Sequence, residues 1–242
     1  MKTLTFGRIK DNLLSEVQKD SAYLIPLRLF IGVGWVRAGL EKWIESGWHD
    51  GSSLLAFFDG QITSGQVAFP FYQNLLQGVF SPRAQALSWL IMVGQFLVGI
   101  AVLAGLFTNF ALLCGMFMNF NFIFAGEINP SAFYIVIQLA LFIGNTGAII
   151  GLDQFLSRRI PICFLVAQPP GSSNCLPVDR ATFVGLALLA LVAAGVAFPH
   201  IRDFGPHSVE DPAMILLVLS TVIALSAAIS LLRLAKTIDF SP

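Results

Sequence analysis

Two groups of polar residues set in apolar sequence have the types and spacing to do chemistry. The first is Arg37, Glu41 and Lys42, at the end of a run that also holds Arg28. Arg37 and Glu41 are four apart and can pair on one helical face. Arg28 and Arg37 are nine apart, about 900° of helical rotation, and so point to opposite faces. Charges inside a membrane are costly and, where kept, face a bundle interior or a polar cavity. This trio reads either as a salt-bridged outer helix end with Lys42 snorkelling to headgroups, or as an anion or headgroup site around Arg37 and Lys42. The second group is Ser131, Tyr134, Gln138 and Asn145, whose offsets of 0, 3, 7 and 14 form one stripe on a helix. Such a stripe either glues helices together or lines a pocket for a quinone or a small anion. Glu127 and Asn129 lie just before it, and Asn119 and Asn121 approach from the preceding helix. With Arg37 and Glu41 these residues predict an outer-leaflet polar cluster.

Other chemistries find little footing. His49, His200 and His207 stand in connections, and no HExxH or HxxxH occurs, so no metal site is expected. The three cysteines, Cys114, Cys163 and Cys175, contain no CxxC. There is no Walker A, GxGxxG or GxSxG motif. No redox centre is legible and no covalently bound cofactor is expected, which weighs against a complete oxidoreductase in this chain alone. With 14 basic and 14 acidic residues and no basic run, nothing points to nucleic acid.

The elements that must position these residues follow from hydropathy. The 242 residues are 56% hydrophobic and 12% charged, with a mean hydropathy of +0.77. A soluble domain carries about 25% charged residues, and here the apolar excess is spread along the chain. A bilayer core needs about 20 apolar residues in a helix, and these runs are too continuous for barrel strands. The sequence predicts an all-α polytopic membrane bundle of about six transmembrane helices: Ala22–Glu41, Ala84–Phe107, Asn109–Gly126, Ser131–Ile150, Ala181–Phe198 and Pro212–Leu232. Residues 43–83 form a long loop or short interfacial helices. Gly32, Gly34, Gly39, Gly94, Gly99 and Gly105 predict close helix packing.

Met1–Asp20 lacks the apolar stretch of a signal peptide, so the first span is expected to direct insertion. With the N-terminus inside, Lys2, Arg8, Lys10, Lys19, Arg158, Arg159, Arg180, Arg233 and Lys236 fall on the inner side, against Lys42, Arg83 and Arg202 outside. The positive-inside rule then places both termini in the cytoplasm. A disulfide between Cys163 and Cys175 is not expected in a reducing compartment, though the reverse orientation would make that pair a staple.

The first span, Arg28-Leu-Phe-Ile-Gly32 through Gly39-Leu-Glu-Lys42, resembles the R-x3-G-x6-G-x2-K signature of DoxX-type membrane proteins. Gln95-Phe-Leu-Val-Gly99 through Gly105-Leu-Phe-Thr108 is similar to the next family segment, where a Glu often stands in place of Gln95. Asn129-Pro-Ser-Ala-Phe-Tyr134, Gln138, Asn145-Thr-Gly147 and Gly151-Leu-Asp153 are similar to the DoxD branch, which includes the small subunit of thiosulfate:quinone oxidoreductase. The resemblance covers a four-helix membrane core over 22–156, while hydropathy and the basic residues add a cytoplasmic segment over 1–21, a cytoplasmic loop over 157–180, and two additional helices with a tail over 181–242. It also implies a prokaryotic cytoplasmic membrane.

The leading expectation is a membrane subunit of a redox complex, with thiosulfate oxidation coupled to quinone reduction. Its ligands would be a quinone and a small sulfur oxyanion, and its neighbours lipid and partner subunits. Candidate binding residues are Arg37, Glu41, Lys42, Glu127, Asn129, Tyr134 and Gln138. Tyr134 and Gln138 would serve the quinone, and Arg37 and Lys42 a dianion. Two alternatives stay open: a non-catalytic structural or assembly subunit of a larger respiratory or photosynthetic complex, and a transporter. The latter lacks an evident inverted repeat.

Overall fold

The computed structural model describes residues 21–128, 130–169, 176–201 and 211–238. Among them every regular element is helical. Helix α1 (Ile25–Ile44) opens with Pro26 in its first turn, where a missing N–H costs nothing. The stretch from 43 to 83 contains α2 (Ser52–Thr63) and α3 (Pro70–Leu75). A π turn and a 3-10 turn then carry α3 directly into α4 (Ala84–Ala104). Helices α5 (Thr108–Phe124) and α6 (Ser131–Ile143) follow, then the short α7 (Asp153–Leu156) and the long pair α8 (Leu176–Ala197) and α9 (Pro212–Ile238).

Three stretches are long and apolar enough to cross a bilayer: Ala22–Ile44, Pro70–Ala104 and Phe183–His200. Thr108–Phe124, Ser131–Ile143 and Pro212–Ala228 are apolar but shorter. The protein is therefore a helical membrane protein. The expected fourth span, Ser131–Ile150, is corrected: α6 stops at Ile143 because Asn145 turns left-handed at φ 48°. Thirteen residues of helix reach only about 20 Å, short of a hydrocarbon core of about 30 Å.

Helices α1, α4, α5 and α6 pack as a closed ring, each against the next, while α8 and α9 pair with each other and lean on α6 and α5 through α9. The ring interior is filled by Ile31, Trp35, Val98, Val102, Leu112 and Leu141. A second core joins α2 and α3 to the bundle through Phe58, Phe69, Leu76, Ile123 and Leu216. The α1–α4 seam depends on glycine. A Cβ on Gly99 would lie 2.6 Å from the Val36 nitrogen, and one on Gly39 would lie 3.0 Å from the Phe96 nitrogen. Leu29, Phe30, Val33, Leu97 and Phe133 point outward, an apolar surface suited to lipid.

Candidate functional site: a cavity at one end of the bundle

The two ends of the ring have different chemistry. At one end, Arg28 and Asp153 organise a polar knot. Arg28 is 2% exposed. Its guanidinium donates to the carbonyls of Thr146, Ile149 and Ile150, the last two at 2.8 Å. Asp153 accepts from the backbone N–H groups of Phe107 (2.7 Å), Thr108 (2.9 Å) and Ala167 (3.1 Å). A carboxylate thus caps the start of α5, where the helix dipole favours negative charge. Burial pushes the Asp153 carboxyl up, and the N–H donors from Thr108, Ala167 and Phe107 pull it back. Gly105, at φ 64°, lets this turn lie against Gly151, whose Cα would sit 2.6 Å from an added Cβ. Asn109 closes the knot by donating to the Asn145 side chain (3.1 Å) and to the Cys163 carbonyl (2.6 Å). Most of the polar contacts here hold backbone, although Arg28 Nε, Thr108 Oγ1 and Asn109 Oδ1 are buried without a partner among the described residues.

The other end holds a cavity of about 570 Å³. It is formed by the C-terminal halves of α1 and α5, the N-terminal halves of α4 and α6, and the α2–α3 segment. Aromatic rings dominate its wall: Trp35, Trp48, Phe57, Phe58, Tyr72, Phe80, Phe117, Phe122 and Tyr134. Polar groups enter at Lys42, Gln95, Asn119, Asn121, Glu127 and Ser131. Volume and lining match those of small-molecule sites, which are mostly apolar with a few placed polar groups. Lys42 holds its Nζ 5.0 Å from the Trp48 ring centroid, a cation–π distance. Burial pushes the Glu127 carboxyl up, and Lys42 partly offsets the shift.

Lys42, Glu127 and Tyr134 do line the cavity, joined by Asn119 and Asn121. Arg37 and Glu41 do not. Their ion pair at 2.6 Å faces outward, with side chains 77% and 59% exposed, because they occupy the α1 face opposite to the buried Trp35 and Gly39. Gln138 is fully buried behind the wall, where its Oε1 accepts from Asn119 Nδ2 at 2.9 Å. The Tyr134 ring packs edge-on against Trp35 at 6.1 Å, with its hydroxyl against Gly34 of α1. Asn145 belongs to the knot at the far end, so the expected stripe splits between two ends of the bundle. Asn129 lies outside the described residues.

Among the histidines, His49 packs edge-on against Trp43 and Trp89, His200 packs on Phe69, and His207 lies outside the described residues. Among the described residues no group of His, Cys, Asp and Glu could hold a metal ion. The expectation of an unbonded Cys163 is also corrected. Cys163 is disulfide-bonded, Cys114 is free, and Cys175 lies outside the described residues.

Sequence reading missed Trp35 and Tyr72 as wall residues and noted Gln95 only as a family position. Trp35 and Gln95 are both 2% exposed. Trp35 Nε1 and Gln95 Oε1 have no hydrogen-bond partner. A buried polar atom left unpaired costs about 1–3 kcal/mol, and the same holds for Arg28 Nε, Thr108 Oγ1 and Asn109 Oδ1 at the other end of the bundle. A lone Gln in the apolar run of α4 was the available signal.

No family model, curated protein or solved structure matches the chain.

Proposed function

We propose that this protein is the quinone-binding membrane subunit of a redox complex, of the DoxX/DoxD type its motifs resemble. The observation that carries the reading is the aromatic cavity inside the bundle, large enough for a substituted benzoquinone or naphthoquinone ring and lined by a few polar side chains, among them Lys42, Asn119, Asn121 and Ser131. When bound, a quinone would supply two-electron acceptor chemistry. The chain's own residues supply an apolar slot, a hydrogen-bonding wall and exclusion of water.

The sulfur-oxyanion half of the expected reaction has weaker footing in this chain. A dianion needs converging cationic donors, yet Arg37 is turned outward and bonded to Glu41. Lys42 is left as the one cationic side chain on the cavity wall. In this reading, thiosulfate or a related oxyanion is oxidised on a partner subunit, and this chain accepts the electrons through its quinone. A helical bundle in a prokaryotic cytoplasmic membrane fits that role, with Ala22–Ile44, Pro70–Ala104 and Phe183–His200 long and apolar enough to cross it.

The test is gentle purification from native membranes, with quinone extraction and a thiosulfate-dependent quinone-reduction assay on the same sample. The reading expects quinone to follow this chain and turnover to require the intact complex. Absence of quinone from an intact complex overturns it and leaves a structural subunit.

A further inference from the structure

We propose that Asn119 is the residue of the cavity that recognises a ligand hydroxyl, and that Gln138 positions it for that role. The inference rests on the quinone reading above and deepens it: the group selected is the O–H of the reduced ring. Asn119 lines the cavity and is only 2% exposed, so what its side chain leaves open faces that cavity. Its Nδ2 donates to Gln138 Oε1 at 2.9 Å. Its Oδ1 makes no hydrogen bond among the described residues, and it is not closed off as Trp35 Nε1, Gln95 Oε1 and Gln138 Nε2 are. The cavity therefore meets a carbonyl oxygen with an unused acceptor site.

That oxygen is held in place from the other side of the amide. Gln138 is fully buried and reaches from α6 toward α5, where its Nε2 takes the room that a Cβ on Gly115 would need. An Asn side chain carries its acceptor and its donors on separate arms. Turning Asn119 alone would set its oxygen against Gln138 Oε1 and break the one bond the pair makes. Asn119 thus keeps its donor arm on Gln138 and its acceptor arm toward the ligand.

An amide oxygen accepts from a hydroxyl but offers nothing to a quinone carbonyl, which is itself an acceptor. Asn119 therefore adds affinity for the hydroquinone and none for the quinone. It stands five residues before the end of α5, about 7 Å inside the helix. Lys42 lies in the last turn of α1, and Glu127 follows the end of α5. The ring is thus expected to enter hydroxyl-first, past the charged groups to the amide.

The test uses the full chain in nanodiscs and anaerobic isothermal calorimetry with three tail-less probes: tetramethyl-1,4-benzoquinone, its hydroquinone, and 1,2,4,5-tetramethylbenzene, which has no oxygen. Empty nanodiscs give the partitioning blank. Asn119→Leu should weaken hydroquinone binding by roughly three- to tenfold, the size of one hydrogen bond, and leave the quinone within about twofold of wild type. Gln138→Leu frees the Asn119 amide to turn, so the ratio of hydroquinone to quinone affinity should fall in the same direction. The hydrocarbon should bind wild type and both variants alike. Where Asn119→Leu does not fold, Asn119→Leu with Gln138→Leu leaves no amide unpaired and should show the same selective loss.

Hydroquinone binding that survives Asn119→Leu overturns the inference while leaving the quinone reading intact. Equal loss of quinone and hydroquinone overturns the acceptor role, and equal loss of the hydrocarbon makes Asn119 a packing element. An unchanged affinity ratio in Gln138→Leu overturns the positioning role. If neither oxygenated probe binds wild type above the blank, the quinone reading itself fails and this inference fails with it.

Discussion

Replacing Arg28 by Met keeps most of the side-chain volume but removes the donors to three carbonyls. It also removes a buried positive charge that is attracted by Asp153. Hydrogen bonds from a charged donor contribute about 1.5–3 kcal/mol each, though losses within one network are not additive. Breaking a buried charge network by removing one partner costs about 3–5 kcal/mol, and that is the figure to expect. For a chain of this size, 1 kcal/mol moves the melting temperature by about 2–4 °C, so Arg28→Met should lose about 6–20 °C in nanodiscs. Arg28→Lys should recover only part, because an ammonium cannot span three carbonyls with a planar fork. Adding Asp153→Asn to Arg28→Met should cost less than the sum of the two single changes. A melting temperature within about 2 °C of wild type for Arg28→Met, against the shift expected from buried-network losses, would refute the claim that this arginine staples the end of the bundle.

Other consequences can be checked by similar means. Gly99→Ala would gain about 1 kcal/mol of helix propensity, but its Cβ would lie 2.6 Å from the Val36 nitrogen. The protein should be destabilised by about 1–3 kcal/mol through overpacking; a thermal scan showing stabilisation would mean that the α1–α4 seam is looser than described. Glu127 has its folded-state pKa raised from the ordinary 4.5. The folded chain then holds a proton that the unfolded chain releases first, so Glu127's contribution is complete below about 4.5 and declines as pH rises through the folded value. Glu127→Gln should flatten that decline slightly, and parallel melting curves from pH 4 to 7 for both proteins would count against the shift. A maleimide probe should label the denatured protein at Cys114 but not at Cys163 until a reductant is added; labelling of Cys163 without reductant would remove the bond.

Much of the fold was legible in the sequence because hydropathy and glycine spacing act locally. The starts of α4, α6 and α9 fall where the apolar runs and Pro130 place them. The end of α6 was not legible. Its hydropathy continues through Ile150, and only the left-handed turn at Asn145, held by Asn109, breaks the helix. The same turn explains why a perfect helical stripe on paper serves two ends of the molecule. Arg37 and Glu41 were legible as a pair but not as an outward one, since an i,i+4 spacing says nothing of which face meets the bundle. Trp35 and Gln95 escaped notice because their distinguishing property, burial without a partner, exists only after α1 and α4 are packed.

The disulfide at Cys163 and the nine-to-three distribution of basic residues pull in opposite directions. The bond belongs to an oxidising compartment and the charges to the cytoplasmic side. A side-selective thiol or protease assay decides between them.

The most direct test of the central claim is photoaffinity labelling of the native complex with an azido-substituted quinone, followed by peptide mapping. The account predicts labels on peptides containing Trp35–Lys42 and Phe117–Phe122, suppressed by excess unlabelled quinone. Labels confined to the outer faces of α8 and α9, or labels that excess quinone does not suppress, would contradict it.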